Sequence, residues 1–230
     1  MKKVYVISLF DSKRRYNIKK QFESINFNNY EFIDAFDARR LNVNELDLIF
    51  NIKKFIDKYG RKPAKGEIGC TISHVSLWNK ICKENEDDII IIEDDAIISD
   101  RFLDFVKCDS NSDLIILGYS KISWLASFYH YIKKPIYNKS KYGSYNIGDI
   151  KKEFSCGTVG YYLNNKAAGV LKDIFSTELP FILADDWMFY SKYQKIKHTR
   201  PFIIYEDFKQ LESTIENERE LKLKESFKHD

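Results

Sequence analysis

The chain lacks paired cysteines. Cys70, Cys82, Cys108 and Cys156 are scattered, with no CxxC and no His at zinc-ligand spacing beside them, which excludes a zinc-finger type of site. Reduced thiols in a cytoplasmic protein are the natural reading. Charge of one sign is missing too: 37 basic against 34 acidic residues leave +3. That is too little for a chain-wide grip on nucleic acid, and no nucleic-acid partner is expected. Long apolar runs are absent, since Met1-Lys2-Lys3 leads only into Val4 to Phe10, broken by Ser8 and followed by charge. Such a run suits neither a signal peptide nor a membrane span. There is no internal repeat and no low-complexity tract.

What is present is globular. Hydrophobic residues make up 44% and charged residues 31% of 230, enough for one core but short for two independent units. Val4-Tyr5-Val6-Ile7-Ser8-Leu9 reads as a buried first strand. The spacing predicts a helix after it, capped by Asp11 or Ser12, with Ile18, Phe22 and Ile25 as its buried stripe. Residues 30–33 read as a second strand ending at Asp34-Ala35-Phe36-Asp37, and residues 42–59 as a helical region broken by Gly60 and Pro63. The strongest helical signal follows Gly66. There Ile68, Ile72, Val75, Trp78 and Cys82 share one face, with His74 on its flank and Ser73 opposite.

Ile89-Ile90-Ile91-Ile92 reads as a central strand covered on both faces, and Leu114-Ile115-Ile116-Leu117 as another, stopped by Gly118. Residues 119–153, rich in Tyr and Lys, read as a functional loop region. Residues 158–163 form a strand in this reading, residues 166–174 a helix, and residues 212–230 a charged, helix-favouring tail. Alternating strands and helices predict an α/β sandwich with a mainly parallel central sheet flanked by helices, in a single domain over 1–230.

Three acids, Glu93-Asp94-Asp95, follow the all-isoleucine strand directly. That places carboxylates at the carboxyl edge of a sheet, where open α/β folds bind ligands. Adjacent carboxylates repel one another, and Mg²⁺ or Mn²⁺ removes that repulsion while bridging to diphosphate oxygens. The plainer alternative is a solvated acidic turn. Arg14 and Arg15 fall in the first turn of a helix, where the dipole penalises cations. A bound phosphate or nearby carboxylates must compensate them. Asp185 or Asp186 could take a proton from an attacking hydroxyl, although an Asp before Trp187 also suits a helix N-cap. His198 could complete a metal site with Asp94 and Asp95, while a lone His is more often structural.

The motifs together resemble glycosyltransferase family 25: Val4 to Leu9 with Arg14-Arg15, Asp34-Ala35-Phe36-Asp37, Lys65-Gly66-Glu67-Ile68-Gly69-Cys70 with Ser73-His74, and Ile92-Glu93-Asp94-Asp95. The likeness continues through Asp113 to Gly118 and Gly157 to Tyr161 and covers roughly residues 1 to 190. Where the family often has Asp-Gly-Arg, this chain has Asp37-Ala38-Arg39.

The resemblance implies a GT-A-like, Rossmann-like fold, with a nucleotide-sugar-binding half over 1–118 and an acceptor-side half over 119–230. It implies a UDP-sugar donor, UDP-galactose foremost with UDP-glucose as the alternative, a metal at the acids, and inversion to a β-linkage. Nucleotide-sugar contacts fall in this way on Ser8, Leu9, Arg14, Arg15, Asp34, Ala35, His74, Glu93 and Asp94, with metal at Asp95. The expected acceptor is a lipid-linked oligosaccharide of the lipooligosaccharide type, met by a cytoplasmic protein with peripheral contact at the inner membrane face. Two rivals stand beside this: a metal-dependent phosphohydrolase, which would want a second acid near Asp11, and a non-catalytic glycan-binding protein.

Overall fold

The computed structural model describes residues 1–120 and 132–206. The first half runs β1 (Lys3–Ser8), α1 (Arg14–Ser24), β2 (Tyr30–Asp34), a 3-10 turn (Ala38–Arg40), α2 (Val43–Asp47), α3 (Ile52–Tyr59), α4 (Lys65–Lys83), β3 (Ile89–Glu93) and β4 (Ala96–Ile98). Then come α5 (Phe102–Lys107), β5 (Leu114–Ile116), β6 (Tyr137–Tyr142), β7 (Tyr145–Asp149) and β8 (Gly160–Leu163). The last described elements are α6 (Asn165–Asp173), α7 (Trp187–Tyr190), β9 (Lys197–Arg200) and β10 (Ile204–Glu206).

An eight-stranded sheet of order β2-β1-β3-β8-β5-β9-β7-β6 carries the fold. β1 pairs in parallel with β2 on one side and β3 on the other. β8 runs against both β3 and β5, β9 runs with β5, and β7 opposes β9 and β6. Only β8 and β7 therefore point the other way, so the sheet is mostly parallel in strand direction, though β8 splits its parallel stretches.

Side chains alternate across a strand, and this explains the isoleucine run. Ile89 and Ile91 pack with Trp78, Ile81 and Leu171 on the face covered by α4 and α6. Ile90 and Ile92 pack with Ile18, Phe22, Phe102 and Phe105 on the face covered by α1 and α5. All four are at most 1% exposed, and each buried side chain of this size stabilises the fold by roughly 1.5–3 kcal/mol. Gly118, just past β5, has to be glycine: a Cβ there would lie 2.1 Å from the Ile204 carbonyl oxygen, where the chain enters β10.

Several expectations change. Residues 42–59 hold two helices, because Asn51 starts a new one by accepting from the Lys54 amide, and Gly60 closes it in the left-handed conformation at φ 68°. Neither Asp11 nor Ser12 is the N-cap of α1; Lys13 is, while the Ser12 hydroxyl accepts from the Arg14 amide at 3.2 Å. Ser73 does not face away from the core, since α4 is buried on nearly every side, Ser73 included. Part of the expected loop region is an antiparallel hairpin, β6 and β7, at the sheet edge, with a register shift between Tyr137 and Ser140. The charged tail lies outside the described residues.

Candidate active site

A cavity of about 370 Å³ opens at the carboxyl ends of β1, β2 and β3, lined by residues of all three strand ends and by Gly66, Gly69, Cys70 and Ser73 of α4. Parallel strands feeding a cleft at their carboxyl ends is the usual ligand position in such sheets. Of the residues singled out from sequence, Ser8, Leu9, Arg14, Ala35, Glu93, Asp94 and Asp95 line it.

Glu93 is held by one oxygen. Its Oε1 accepts from the Thr158 hydroxyl, lies 3.3 Å from His74 Nε2 and accepts from Cys70 Sγ at 3.7 Å. Trp78 donates its indole N–H to the Tyr161 hydroxyl at 2.9 Å, and that hydroxyl lies 2.8 Å from His74 Nδ1. His74 thus bridges the Tyr161 hydroxyl and Glu93 through its two ring nitrogens. Burial alone would raise the Glu93 pKa, but the His74, Thr158 and Cys70 donors outweigh it and the carboxyl is held below its ordinary value. Burial, then the charges of Glu93 and Asp185, push the Cys70 thiol well up. Cys70, His74 and Glu93 bring possible metal-ligand atoms within 4.8 Å of one another. Cys70 and His74 both meet Glu93 Oε1, and in this way they clamp it.

Asp94 ties the turn to α1. Its Oδ2 accepts from Ser8 at 2.6 Å and from Ser12 at 2.7 Å. Arg14 stands 3.6 Å from Asp94 and 3.5 Å from Asp95. Arg15 donates to the Ser8 carbonyl at 2.9 Å and pairs with Asp34, the last residue of β2. The two arginines at a helix start thus meet the carboxylates that the dipole argument required. Asp34, Arg15 and fully buried His74 do not line the cavity.

Asp95 is the least settled group. Its Oδ1 is buried with no hydrogen-bond partner among the described residues. Burial, then the charges of Glu93 and Glu206, push its pKa well up against the pull of Arg14. Glu206 arrives through β10, which pairs against β4 so that Glu206 lies opposite Ala96, the residue after Asp95.

The β2 side of the cavity is fixed by α4. Ser73 accepts from the Phe36 amide at 2.8 Å and donates to the Gly69 carbonyl at 2.7 Å. A Cβ on Gly69 would come 2.6 Å from the Phe36 carbonyl oxygen, so only glycine lets the loop lie this close. Asp37 accepts from the Arg39 side chain at 2.7 and 3.0 Å, and that ion pair shapes the Asp37-Ala38-Arg39 turn.

Two expectations do not fit the site. His198 lies on β9, three strand positions from β3, or about 14 Å at the usual spacing. Its ring nitrogens face Tyr119 at 2.9 Å and Glu153 at 2.9 Å, so it does not join the acids as a metal ligand. Asp186 is 3% exposed, and its Oδ2 is taken by Tyr59 at 2.7 Å and Lys58 at 3.1 Å while Oδ1 caps α7. Both of its carboxylate oxygens are thus engaged, joining α3 to the start of α7. Asp185 is half-buried, and its charge is felt at Cys70 on the cavity wall. Sequence reading gave Phe36, Cys70 and Thr158 only as motif positions without a role, and it did not single out Glu206.

Residues 1–188 match the sequence model of glycosyltransferase family 25, described as LPS biosynthesis protein. The chain belongs to that family. Among similar proteins, this family 25 chain is 27% identical over 237 residues to the Haemophilus influenzae lipooligosaccharide biosynthesis protein lex-1, covering 87% of this chain and 72% of that one. It is 28% identical over 197 residues to the Haemophilus influenzae lipooligosaccharide biosynthesis protein lic2B, covering 81% and 69%. Procollagen galactosyltransferase 2 of Mus musculus is 26% identical over 164 residues, covering 65% of this chain but only 24% of its own length. The family 25 chain thus spans about a quarter of that larger protein. Among the described residues no helix is long and apolar enough to cross a membrane.

Proposed function

We propose that this family 25 chain transfers galactose from UDP-galactose to a hydroxyl of a lipooligosaccharide-type glycan, inverting the anomeric carbon. The carrying observation is the cavity at the ends of β1–β3, where Asp95, beside Arg14, has a buried carboxylate oxygen with no hydrogen-bond partner among the described residues. Membership of the family and the galactosyltransferase named among its relatives support the choice of sugar.

A divalent cation fits Asp95 and Asp94: an orphaned oxygen with a raised pKa, crowded by Glu93 and Glu206, is what a hard cation relieves. When bound, the cation supplies positive charge for the departing diphosphate. The chain's own residues do the rest. Arg14 offers its guanidinium to the phosphates from the start of α1, whose dipole already favours anions. Glu93, clamped through Oε1, is left with Oε2 for a donor hydroxyl. The acceptor oxygen attacks the anomeric carbon as the bond to the diphosphate oxygen breaks, and Asp185 takes the acceptor's proton. One displacement at one carbon inverts it.

The test is donor consumption over a panel of nucleotide sugars, with Mn²⁺ and with chelator, with and without a truncated lipooligosaccharide. Transfer from UDP-galactose that chelator stops is the expected result. Release of phosphate from simple phosphate esters without any glycosyl transfer would overturn the reading in favour of a phosphohydrolase.

A further inference from the structure

We propose that Phe36 is the platform on which the nucleobase of the donor stacks, an inference that rests on the donor reading above. Phe36 is 38% exposed and forms part of the cavity wall. Single exposed apolar side chains are ordinary on a protein surface, so exposure alone decides nothing. Phe10 is more exposed, at 79%, yet it lies outside the wall and beneath the Arg15 guanidinium.

What distinguishes Phe36 is that its backbone is fixed from three sides while its side chain keeps 38% of its surface exposed. Ser73 takes its amide proton at 2.8 Å. Its carbonyl oxygen rests against Gly69 so closely that no side chain fits between, and it also accepts from the Ala38 amide at 3.2 Å. The preceding residue is tied as well, with the Ala35 amide donating to the Ser8 carbonyl at 2.8 Å. Such a rigid mount fixes a flat, partly exposed apolar side chain in the cavity wall. Its loss of burial is offset when a flat, partly apolar group covers it.

The spacing suits a nucleotide. β1 lies between β2 and β3, so the ends of the outer two are two strand spacings apart, about 10 Å. Phe36 follows β2, and the acids follow β3. A nucleoside reaches over a distance of that order from its base to its first phosphate. The phosphates would then lie by Arg14 and Asp95, with the base over Phe36. Every base has a π face, so the ring sets position and affinity without naming the base.

Calorimetric titration of the full chain with UDP and, separately, with inorganic pyrophosphate, both with Mn²⁺, tests this. Phe36→Ala should weaken UDP by about ten- to a hundredfold, the usual effect of removing one stacking partner. It should leave pyrophosphate within about twofold, while Phe36→Tyr keeps UDP binding. Unchanged UDP affinity in Phe36→Ala overturns the inference and leaves the donor reading standing. Equal loss of UDP and pyrophosphate also overturns it, because the loop rather than the ring is then responsible. Failure of the wild-type chain to bind UDP or any other nucleoside diphosphate overturns the donor reading itself.

Discussion

Replacing Thr158 by Val probes the clamp on Glu93 with the least disturbance of shape. Thr158 is 4% exposed and donates its hydroxyl to Glu93 Oε1. Valine keeps the branched outline, so no cavity opens and the change is confined to one donor. A hydrogen bond to a charged group contributes about 1.5–3 kcal/mol, and a buried acceptor that loses one partner is destabilised by a similar amount. His74 and Cys70 still hold the same oxygen, so Glu93 stays in place but less firmly. Denaturant unfolding should show a loss of about 1.5–3 kcal/mol, and UDP affinity should fall by up to about tenfold. The decisive measurement repeats Thr158→Val in a Glu93→Gln background. Two groups in contact couple by about 0.5–3 kcal/mol, so there the substitution should have less than half its effect. Equal effects in both backgrounds would refute the claim that Thr158 acts through Glu93.

Two further outcomes follow from the site. Asp185→Asn should lower kcat by about a hundredfold or more with UDP affinity retained, as removal of a general base does, whereas Asp186→Asn should act mainly on stability; steady-state kinetics beside melting curves separate them, and the reverse pattern would return the base to Asp186. The folded-state pKa of Asp95 is raised above its ordinary value, so its contribution favours the fold at acid pH and is lost as pH rises through that folded pKa; metal-free Asp95→Asn should therefore melt higher than wild type at neutral pH, and a lower melt would contradict the electrostatic account.

The parts of the molecule governed by local periodicity were legible in the sequence. An unbroken isoleucine run has to be buried on both faces, and the acids ending it have to sit at a sheet edge. The arginine pair at the start of α1 demanded counter-charge, and Asp34, Asp94 and Asp95 provide it. What depends on strand order was not legible. Nothing local to residues 158–163 says that β8 runs against β3, yet that pairing brings Thr158 onto Glu93. His198 looked available as a ligand, and the order of the sheet carries it three strands away. Glu206 reaches Asp95 only through a three-residue pairing of β10 with β4. Asp186 read as either cap or base, and the side chains that engage its carboxylate, Tyr59 and Lys58, come from α3 far back in the chain.

The most direct measurement is calorimetric titration of UDP with Mn²⁺ present, on wild type and on Asp95→Asn. Loss of an outer-shell partner of a metal weakens a site by about 10–100-fold, and loss of a ligand itself should exceed that. The account predicts saturable binding to wild type and at least a hundredfold weakening in Asp95→Asn with its fold intact. Equal UDP affinity in the two proteins, whether or not Mn²⁺ is added, would contradict it.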